Sequence, residues 1–114
     1  MILYLDDWRT PPQGENIKSA DNFADFIALI DKYRDCIEEV DLDYDLGYDS
    51  LKNGYHVLVY MKKYDIKCPH INVHSTHPSG RERMLTYAKT NFPDALVTGW
   101  ECVAAEQVKV YKIN

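Results

Sequence analysis

The sequence predicts an α/β fold, a three-layer sandwich built on a mostly parallel central sheet. Short apolar runs alternate along the chain with longer segments in which apolar residues recur every three or four positions, as strands alternating with helices do. This alternation favours a parallel sheet, since the helices serve as crossover connections. The 114 residues, 46% of them hydrophobic, fit one domain over residues 1–114, because a chain of this size buries about two thirds of its unfolded surface.

The first two strands are predicted to flank a loop. Residues 2–5 form an apolar run that ends abruptly in Asp6 and Asp7, as a buried strand does at an exposed carboxyl end. Residues 10–14 hold two prolines and a glycine and predict a loop, and residues 16–19 follow as a second short strand. A helix comes next, with Ser19 or Asp21 as its cap. Its apolar positions share one helical face: Phe23, Phe26, Ile27, Ile30 and Tyr33.

A strand, a turn and a helix are predicted for the middle of the chain. Residues 37–43 form the strand, with Val40 and Leu42 as apolar positions, and Gly47 marks the turn after it. Helical spacing resumes at Leu51 and continues to residue 59. Gly54 interrupts this helix at a cost of about 1 kcal/mol relative to alanine.

The last part of the chain is predicted to hold a strand, a helix and the closing strands. In the strand over residues 70–74, positions 71 and 73 share one face and positions 70, 72 and 74 share the other. The helix is predicted to begin at Gly80, because Ser79 and Glu82 have the spacing of a capping box. Residues 95–98 and 107–113 complete the sheet as one or two strands.

Acidic and histidine side chains follow the predicted strands at one edge of the sheet. Asp6 and Asp7 end the first strand and Asp43 ends the third, while His74 and His77 follow the fourth. Ligands of parallel sheets bind beyond these carboxyl ends. Two ionised carboxylates about 4 Å apart repel by about 4 kcal/mol at an effective dielectric of 20, so a cation is favoured there. Oxygen ligands favour Mg²⁺ or Mn²⁺, although each aspartate alone also suits a turn or a cap.

The histidines after the fourth strand allow three interpretations. In the first, His74 and His77 are general acid and base, or phosphate ligands, beside a helix N-terminus whose free amides attract anions. The second is a zinc site, although its spacing matches no standard zinc motif. Its ligands would be Cys68, His70, His74 and His77. In the third, the histidines are structural residues with satisfied hydrogen bonds. The flanking Ser-Thr and Pro-Ser-Gly-Arg segments favour the first interpretation.

The net charge limits the partners that this protein can bind, and the cysteines indicate its compartment. The chain carries 18 acids against 13 lysines and arginines, which argues against duplex DNA as a partner because nonspecific DNA binding needs a broad basic face. Residues 1–50 hold 13 of the acids, and residues 51–114 hold all four histidines. Three widely spaced cysteines and short apolar runs predict a cytoplasmic protein without a membrane span. The sequence leaves the oligomeric state open.

Three ordered motifs resemble those of a receiver-like family. They are LDDWRTPP (residues 5–12), LDYDLG (residues 42–47) and VHSTHPSG (residues 73–80), with Met84 after them. Together they are similar to the receiver-like family proposed to process cyclic phosphates, within the response-regulator receiver superfamily. His77 stands where the family pattern has asparagine. Residues 97–100 also lack the lysine with which ordinary receivers sense a phosphoryl group.

The resemblance implies a receiver-like, flavodoxin-like fold whose first helix is replaced by a loop. It also implies a metal-dependent phosphoesterase that acts on a cyclic or terminal phosphate of a nucleotide or an RNA end. In this scheme Asp6, Asp7 and Asp43 hold a divalent metal, with Mg²⁺ or Mn²⁺ favoured over Zn²⁺. The implied catalytic residues are His74 as proton donor, Ser75, Asp43, and His77 as a second acid or base. The implied phosphate ligands are Arg9, Ser79, Gly80 and Arg81.

A nonenzymatic module is the competing hypothesis. A degenerate receiver would bind a nucleotide or a partner protein without turning it over. Trp8, beside the predicted site, and Tyr44 and Tyr48, after the third strand, would then stack on a base. Packing in the core or at an interface is the ordinary alternative use of such rings.

Overall fold

Six strands form a single sheet in the computed structural model, which describes residues 1–47, 51–103 and 106–110, with side chains through residue 99. They are β1 (Ile2–Leu5), β2 (Ile17–Ala20), β3 (Glu39–Leu42), β4 (His70–Val73), β5 (Leu96–Val103) and β6 (Glu106–Val110). The order across the sheet is β2-β1-β3-β4-β5-β6. Strands β1 to β5 are parallel to one another, and β6 pairs antiparallel with β5.

Within the described ranges, three helices pack against one face of the sheet. They are α1 (Phe23–Lys32), α2 (Gly54–Lys63) and α3 (Pro78–Asn91), and a short 3₁₀ turn, Arg34–Cys36, follows α1. Helix α2 contacts both α1 and α3, so the helices form one layer. Their apolar residues and those of the strands make a single core, whose largest fully buried members include Phe26, Leu3, Leu5, Ile30, Leu42, Leu58 and Met61.

The opposite face of the sheet carries polar side chains. In β3 and β4 the residues that alternate with the core positions are Glu39, Asp41, His70 and Asn72, so the predicted alternation is confirmed. The chain between β1 and β2, residues 6–16, is a loop, and no helix of the described ranges lies on this face. The predicted receiver-like α/β fold, with a mostly parallel sheet and without a first helix, is confirmed. The predicted third layer is not formed by the described residues, because the chain between β1 and β2 is a loop and the three helices all lie on the other face.

Helix α1 is capped by a different residue from those predicted. The side chain of Asn22 accepts a hydrogen bond from the backbone N–H of Asp25. The prediction of Ser19 or Asp21 as the cap was therefore wrong. Ser19 belongs to β2, whose backbone is already paired with β1.

Helix α2 begins at Gly54 rather than at Leu51. Asn53 caps it, and the ring of His56 accepts a hydrogen bond from the Asn53 N–H, which completes a capping box. Gly54 therefore starts the helix instead of interrupting it. A Cβ atom at this position would lie 2.0 Å from the carbonyl oxygen of Asp43, so glycine lets the helix approach the end of β3 closely.

Helix α3 begins at Pro78, with His77 as its N-cap. Proline suits the first helical position because its fixed φ is helical and it has no N–H to leave unpaired. Ser79 and Gly80 therefore lie inside the helix, and the predicted capping box of Ser79 and Glu82 was wrong.

The predicted closing strands are present as β5 and β6. Strand β5 extends further than predicted, to Val103, and residues 111–113 of the predicted last strand lie outside the described residues, as does Tyr48. No helix of the described part of the chain is both long enough and apolar enough to cross a membrane.

Candidate functional site

The carboxyl ends of β1, β3 and β4 bring together three of the predicted site residues. In the sheet register Leu5 pairs with Leu42, and Leu42 with Val73. The residue after each strand end therefore falls at the same edge of the sheet: Asp6, Asp43 and His74. All three side chains are buried, so their charges interact strongly.

Asp6 is the most completely hydrogen-bonded carboxylate of the site. Its Oδ1 accepts from the backbone N–H groups of Trp8 (2.8 Å) and Arg9 (3.0 Å). Its Oδ2 accepts from the Arg9 guanidinium and lies 3.0 Å from His74 Nε2. Burial alone would raise the pKa of Asp6, but these hydrogen bonds lower it. Asp6 is therefore ionised at neutral pH.

His74 lies between two carboxylates. Its Nδ1 is 2.6 Å from Asp41 and its Nε2 is 3.0 Å from Asp6, and its ring stacks on Tyr4 with centroids 4.7 Å apart. Burial would lower the pKa of His74, but the hydrogen bonds with Asp41 and Asp6 raise it to about 9. At neutral pH the ring is an imidazolium that donates to both aspartates.

Asp43 has the least compensated charge of the three. Burial and then the negative charge of Asp6 raise the pKa of Asp43 to about 6, although the charges of His74 and Arg9 and a hydrogen bond with Ser75 oppose the shift. The Ser75 hydroxyl also accepts from the backbone N–H of His77 at 3.1 Å. Ser75 therefore links Asp43 to the start of α3.

A cleft of about 650 Å³ opens at this edge of the sheet. Five of the predicted site residues line it: Asp7, Arg9, Asp43, Ser75 and His77. Asp6 and His74 are not among its lining residues and lie buried beside Asp43. The cleft thus combines carboxylates, a guanidinium, a hydroxyl and an imidazole, which are groups that bind cations and phosphate oxygens.

Asp7 and the turn after β3 meet in this cleft. Gly47 has a φ of +104°, which favours glycine, and a Cβ atom there would lie 3.2 Å from Asp7 Oδ2. Partial burial and the negative charges of Asp6 and Asp45 raise the pKa of Asp7. An added cation would relieve this repulsion.

The start of α3 engages three of the residues predicted to bind phosphate or transfer protons. His77 Nδ1 accepts from the backbone N–H of Gly80 at 2.9 Å and lies 3.4 Å from the Ser79 hydroxyl. In the neutral ring Nδ1 is thus the acceptor, and the proton is on Nε2. The Gly80 N–H is thus already donated to His77. The phosphate-binding roles of Ser79, Gly80 and the half-buried Arg81 stay predictions.

Gly80 has a packing role that the sequence does not reveal. A Cβ atom there would lie 2.3 Å from the ring of Tyr44, and the Tyr44 and His77 rings have centroids 4.8 Å apart. Glycine therefore allows the start of α3 to approach the segment that follows β3.

The site contains a group of ligand atoms that could hold a metal ion. One atom each of Asp6, Asp43 and His74 lies within 4.8 Å of the others. Carboxylate oxygens suit a hard divalent cation. Burial first, and then the negative charge of Asp6, raise the pKa of Asp43, and a cation would offset that negative charge. His74 would have to lose a proton to bind a metal, so it fits better as a donor that orients the ligand Asp6.

The zinc grouping considered from the sequence does not form. Cys68 donates to the carbonyl of His70, and burial raises the pKa of its thiol to about 11. His70 pairs with Glu39 and Thr98. These contacts direct both residues away from His74 and His77, each of which has its own partners.

A chain of hydrogen bonds on the polar face of the sheet was missed by sequence analysis. Thr98 donates to Asn72 at 2.6 Å, and the Asn72 amide donates to Asp41 at 2.7 Å. Asp41 in turn holds His74. Asn72 and Thr98 are fully buried. The available signal was the polar alternation in β3 and β4, but only the strand order shows that these polar positions are neighbours.

The parallel sheet in receiver order, with carboxylates after β1 and β3 and a hydroxyl after β4, defines a receiver domain. A family model described as the cyclic-phosphate processing receiver domain matches residues 1–90, and the chain belongs to this family. No curated protein and no solved structure matches the chain.

Proposed function

We propose that this domain is a metal-dependent phosphoesterase that hydrolyses a cyclic or terminal phosphate of a nucleotide or an RNA end. The observation that carries the proposal is the single cleft in which Asp43, Arg9, Ser75 and His77 converge. Membership of the cyclic-phosphate processing family supports the choice of phosphate. Two of these groups are proposed to bind the phosphate, and the other two to act on the attacking water and the leaving oxygen.

Arg9 is the proposed phosphate ligand, and Ser75 joins it when its one hydroxyl proton turns from Asp43 to a phosphate oxygen. The Arg9 guanidinium donates to Asp6 through Nη1 and has further N–H donors, and the residue lines the cleft. Guanidinium forks match phosphate oxygens. Because Asp6 fixes one side of the fork, little side-chain entropy is lost when the other side binds phosphate.

Asp43 is the proposed base, and His77 is the proposed hydrogen-bond donor to the leaving oxygen. The attacking water gives a proton to the Asp43 carboxylate as its oxygen bonds to phosphorus. The ester bond then breaks, and the His77 Nε2–H donates a hydrogen bond that stabilises the leaving oxygen. This oxygen takes its proton from solvent water, and Asp43 returns its proton to solvent. The sequence suggested His74 as the donor, but both of its nitrogens face carboxylates, so we assign it the task of holding Asp6 and Asp41.

A divalent cation, when bound, offsets the charge of the phosphoryl oxygens and makes water a stronger nucleophile. Asp6 and Asp43, with Asp7 at the same cleft, are the residues proposed to hold it. A carboxylate has two oxygens, so Asp43 keeps one of them for the proton of the attacking water. Mg²⁺ or Mn²⁺ suits this oxygen-rich set better than Zn²⁺.

The test is a turnover assay with 2′,3′-cyclic and 3′,5′-cyclic mononucleotides. We expect nucleoside monophosphate to form in Mg²⁺ or Mn²⁺, to stop forming in EDTA, and to form again when the metal is restored. The reason is that the cation offsets the charge of the phosphoryl oxygens and activates water. Product can be followed by chromatography. Binding without product in any metal would instead identify a nonenzymatic receiver, and the absence of both would refute the proposal.

His77→Asn separates the proposed hydrogen bond to the leaving oxygen from the helix cap. Asparagine is a good N-cap, so thermal stability should stay close to that of the wild type. The rate on a cyclic nucleotide should fall about a hundredfold, as expected when a donor to a developing oxyanion is lost. Hydrolysis of bis(p-nitrophenyl) phosphate should change little, because p-nitrophenolate is a stable leaving group that needs no such donor. Equal losses on both substrates would show that His77 does not act on the leaving oxygen.

A further inference from the structure

An exposed tryptophan stands beside the proposed phosphate site. The Trp8 side chain is 84% exposed and lines the same cleft as Asp43 and Ser75. Tryptophan is on average one of the more buried residue types, so such exposure at a cleft indicates a contact surface. Trp8 lies outside the hydrophobic core of the described residues, so packing in that core does not account for its position.

The backbone of Trp8 is anchored although its ring is exposed. The Trp8 N–H donates to Asp6 Oδ1 at 2.8 Å, and the next N–H, that of Arg9, donates to the same oxygen. Asp6 is itself buried. The loop is therefore fixed at the point where it carries the ring, and a ligand that stacks on Trp8 meets a preorganised surface.

The ring and the proposed phosphate ligand are neighbours. The Arg9 guanidinium carbon lies 6.0 Å from the centroid of the Trp8 ring. A ligand whose phosphate binds Arg9 and Ser75 thus brings its remaining part next to the indole. The cleft of about 650 Å³ falls within the range of small-molecule sites, about 300–1,000 Å³, and so has room for more than a phosphate.

We propose that Trp8 stacks on the base of the substrate and makes the site selective for nucleotides over cyclic phosphates without a base. This inference rests on the proposed function. Stacking is tolerant of base identity because every base has a π-face. The site should therefore require a base without strongly preferring one of the four.

Kinetics of Trp8→Ala and Trp8→Phe test this inference with nucleoside 2′,3′-cyclic phosphates and with glycerol 1,2-cyclic phosphate, which has no base. For Trp8→Ala we expect KM for the nucleotides to rise about tenfold, with kcat nearly unchanged, since a stacked base contributes about 1–3 kcal/mol. Trp8→Phe should keep most of the affinity. Turnover of glycerol 1,2-cyclic phosphate should be the same in all three proteins.

The outcomes separate this inference from the proposed function. Unchanged nucleotide KM in Trp8→Ala, with metal-dependent turnover intact, would overturn base stacking and leave the phosphoesterase standing. Equal KM increases for glycerol 1,2-cyclic phosphate would also overturn it, because the loss would then not concern the base. A wild-type protein that turns over neither substrate would refute the proposed function and this inference together.

Discussion

Asp43→Asn is expected to reduce turnover of cyclic nucleotides by at least about a thousandfold. The substitution removes both the proposed base and a metal ligand, and each such loss typically costs two or more orders of magnitude. Asparagine has the shape of the aspartate side chain, and its amide oxygen can still accept the hydrogen bond from the Ser75 hydroxyl. The measurement is initial rate in saturating Mn²⁺. Asp35→Asn, an exposed acid in the 3₁₀ turn, makes the same change in charge and should retain full activity.

The same variant should be more stable than the wild type in EDTA above pH 6. The pKa of Asp43 is raised from 3.8 to about 6 in the folded protein, so its charge disfavours folding above that pH, by up to about 3 kcal/mol. The penalty falls as pH decreases through 6 and is gone below about 4. Urea unfolding at pH 8 and pH 4 should show the difference only at pH 8.

Metal should reverse this order of stability. At 1,000 times its Kd a bound cation stabilises the folded state by about 4.1 kcal/mol, and we expect Mn²⁺ to raise the Tm of the wild type but not that of Asp43→Asn. Equal shifts in both proteins would place the cation elsewhere. Normal turnover by Asp43→Asn would remove Asp43 from the mechanism.

His74→Gln is expected to reduce the free energy of unfolding by about 3 kcal/mol at pH 7 in EDTA. The imidazolium donates to Asp41 and Asp6, and removal of one partner leaves buried charge uncompensated, which costs about 3–5 kcal/mol when the pair is fully buried. Urea unfolding monitored by circular dichroism measures the loss. His56→Gln is the control, because glutamine retains the capping box of α2.

The free energy of unfolding lost in His74→Gln should depend on pH, and the direction of the His74 pKa shift fixes how. The pKa of His74 is raised from 6.5 to about 9 on folding, so its stabilising contribution is complete below 6.5 and disappears as pH rises through 9. The difference between wild type and His74→Gln should therefore narrow from pH 6.5 to pH 9.5. A constant difference over this range would show that His74 is neutral in the folded protein.

Local pattern predicted most of the strands and the aspartates and histidines that follow their carboxyl ends, because both depend on short-range properties. The runs before Asp6 and Asp43 end where the hydrophobic core ends, and that boundary is visible in the sequence. Helix starts were predicted less well. Several polar residues stand near each start, and only the path of the backbone decides whether Asn22 or Ser19 reaches a free N–H.

The roles of the two histidines needed the tertiary structure. In sequence His74 and His77 are equivalent members of one turn, three residues apart. In the fold His74 faces Asp41 and Asp6, which lie 33 and 68 residues away, while His77 caps α3 and lines the cleft. Long-range neighbours set whether a histidine is a buried cation, as His74 is, or a ring at a cleft.

The sequence by itself determined that this protein is an α/β receiver-like domain with aspartates and histidines at one edge of its sheet, because strand length, helical spacing and ordered motifs are local. The tertiary structure decided which charges compensate one another and which remain. Asp6 is neutralised by Arg9 and His74, whereas Asp43 keeps an excess charge at the cleft. Coulomb energy depends on distance in space and on burial, and neither quantity can be obtained from the order of the residues alone.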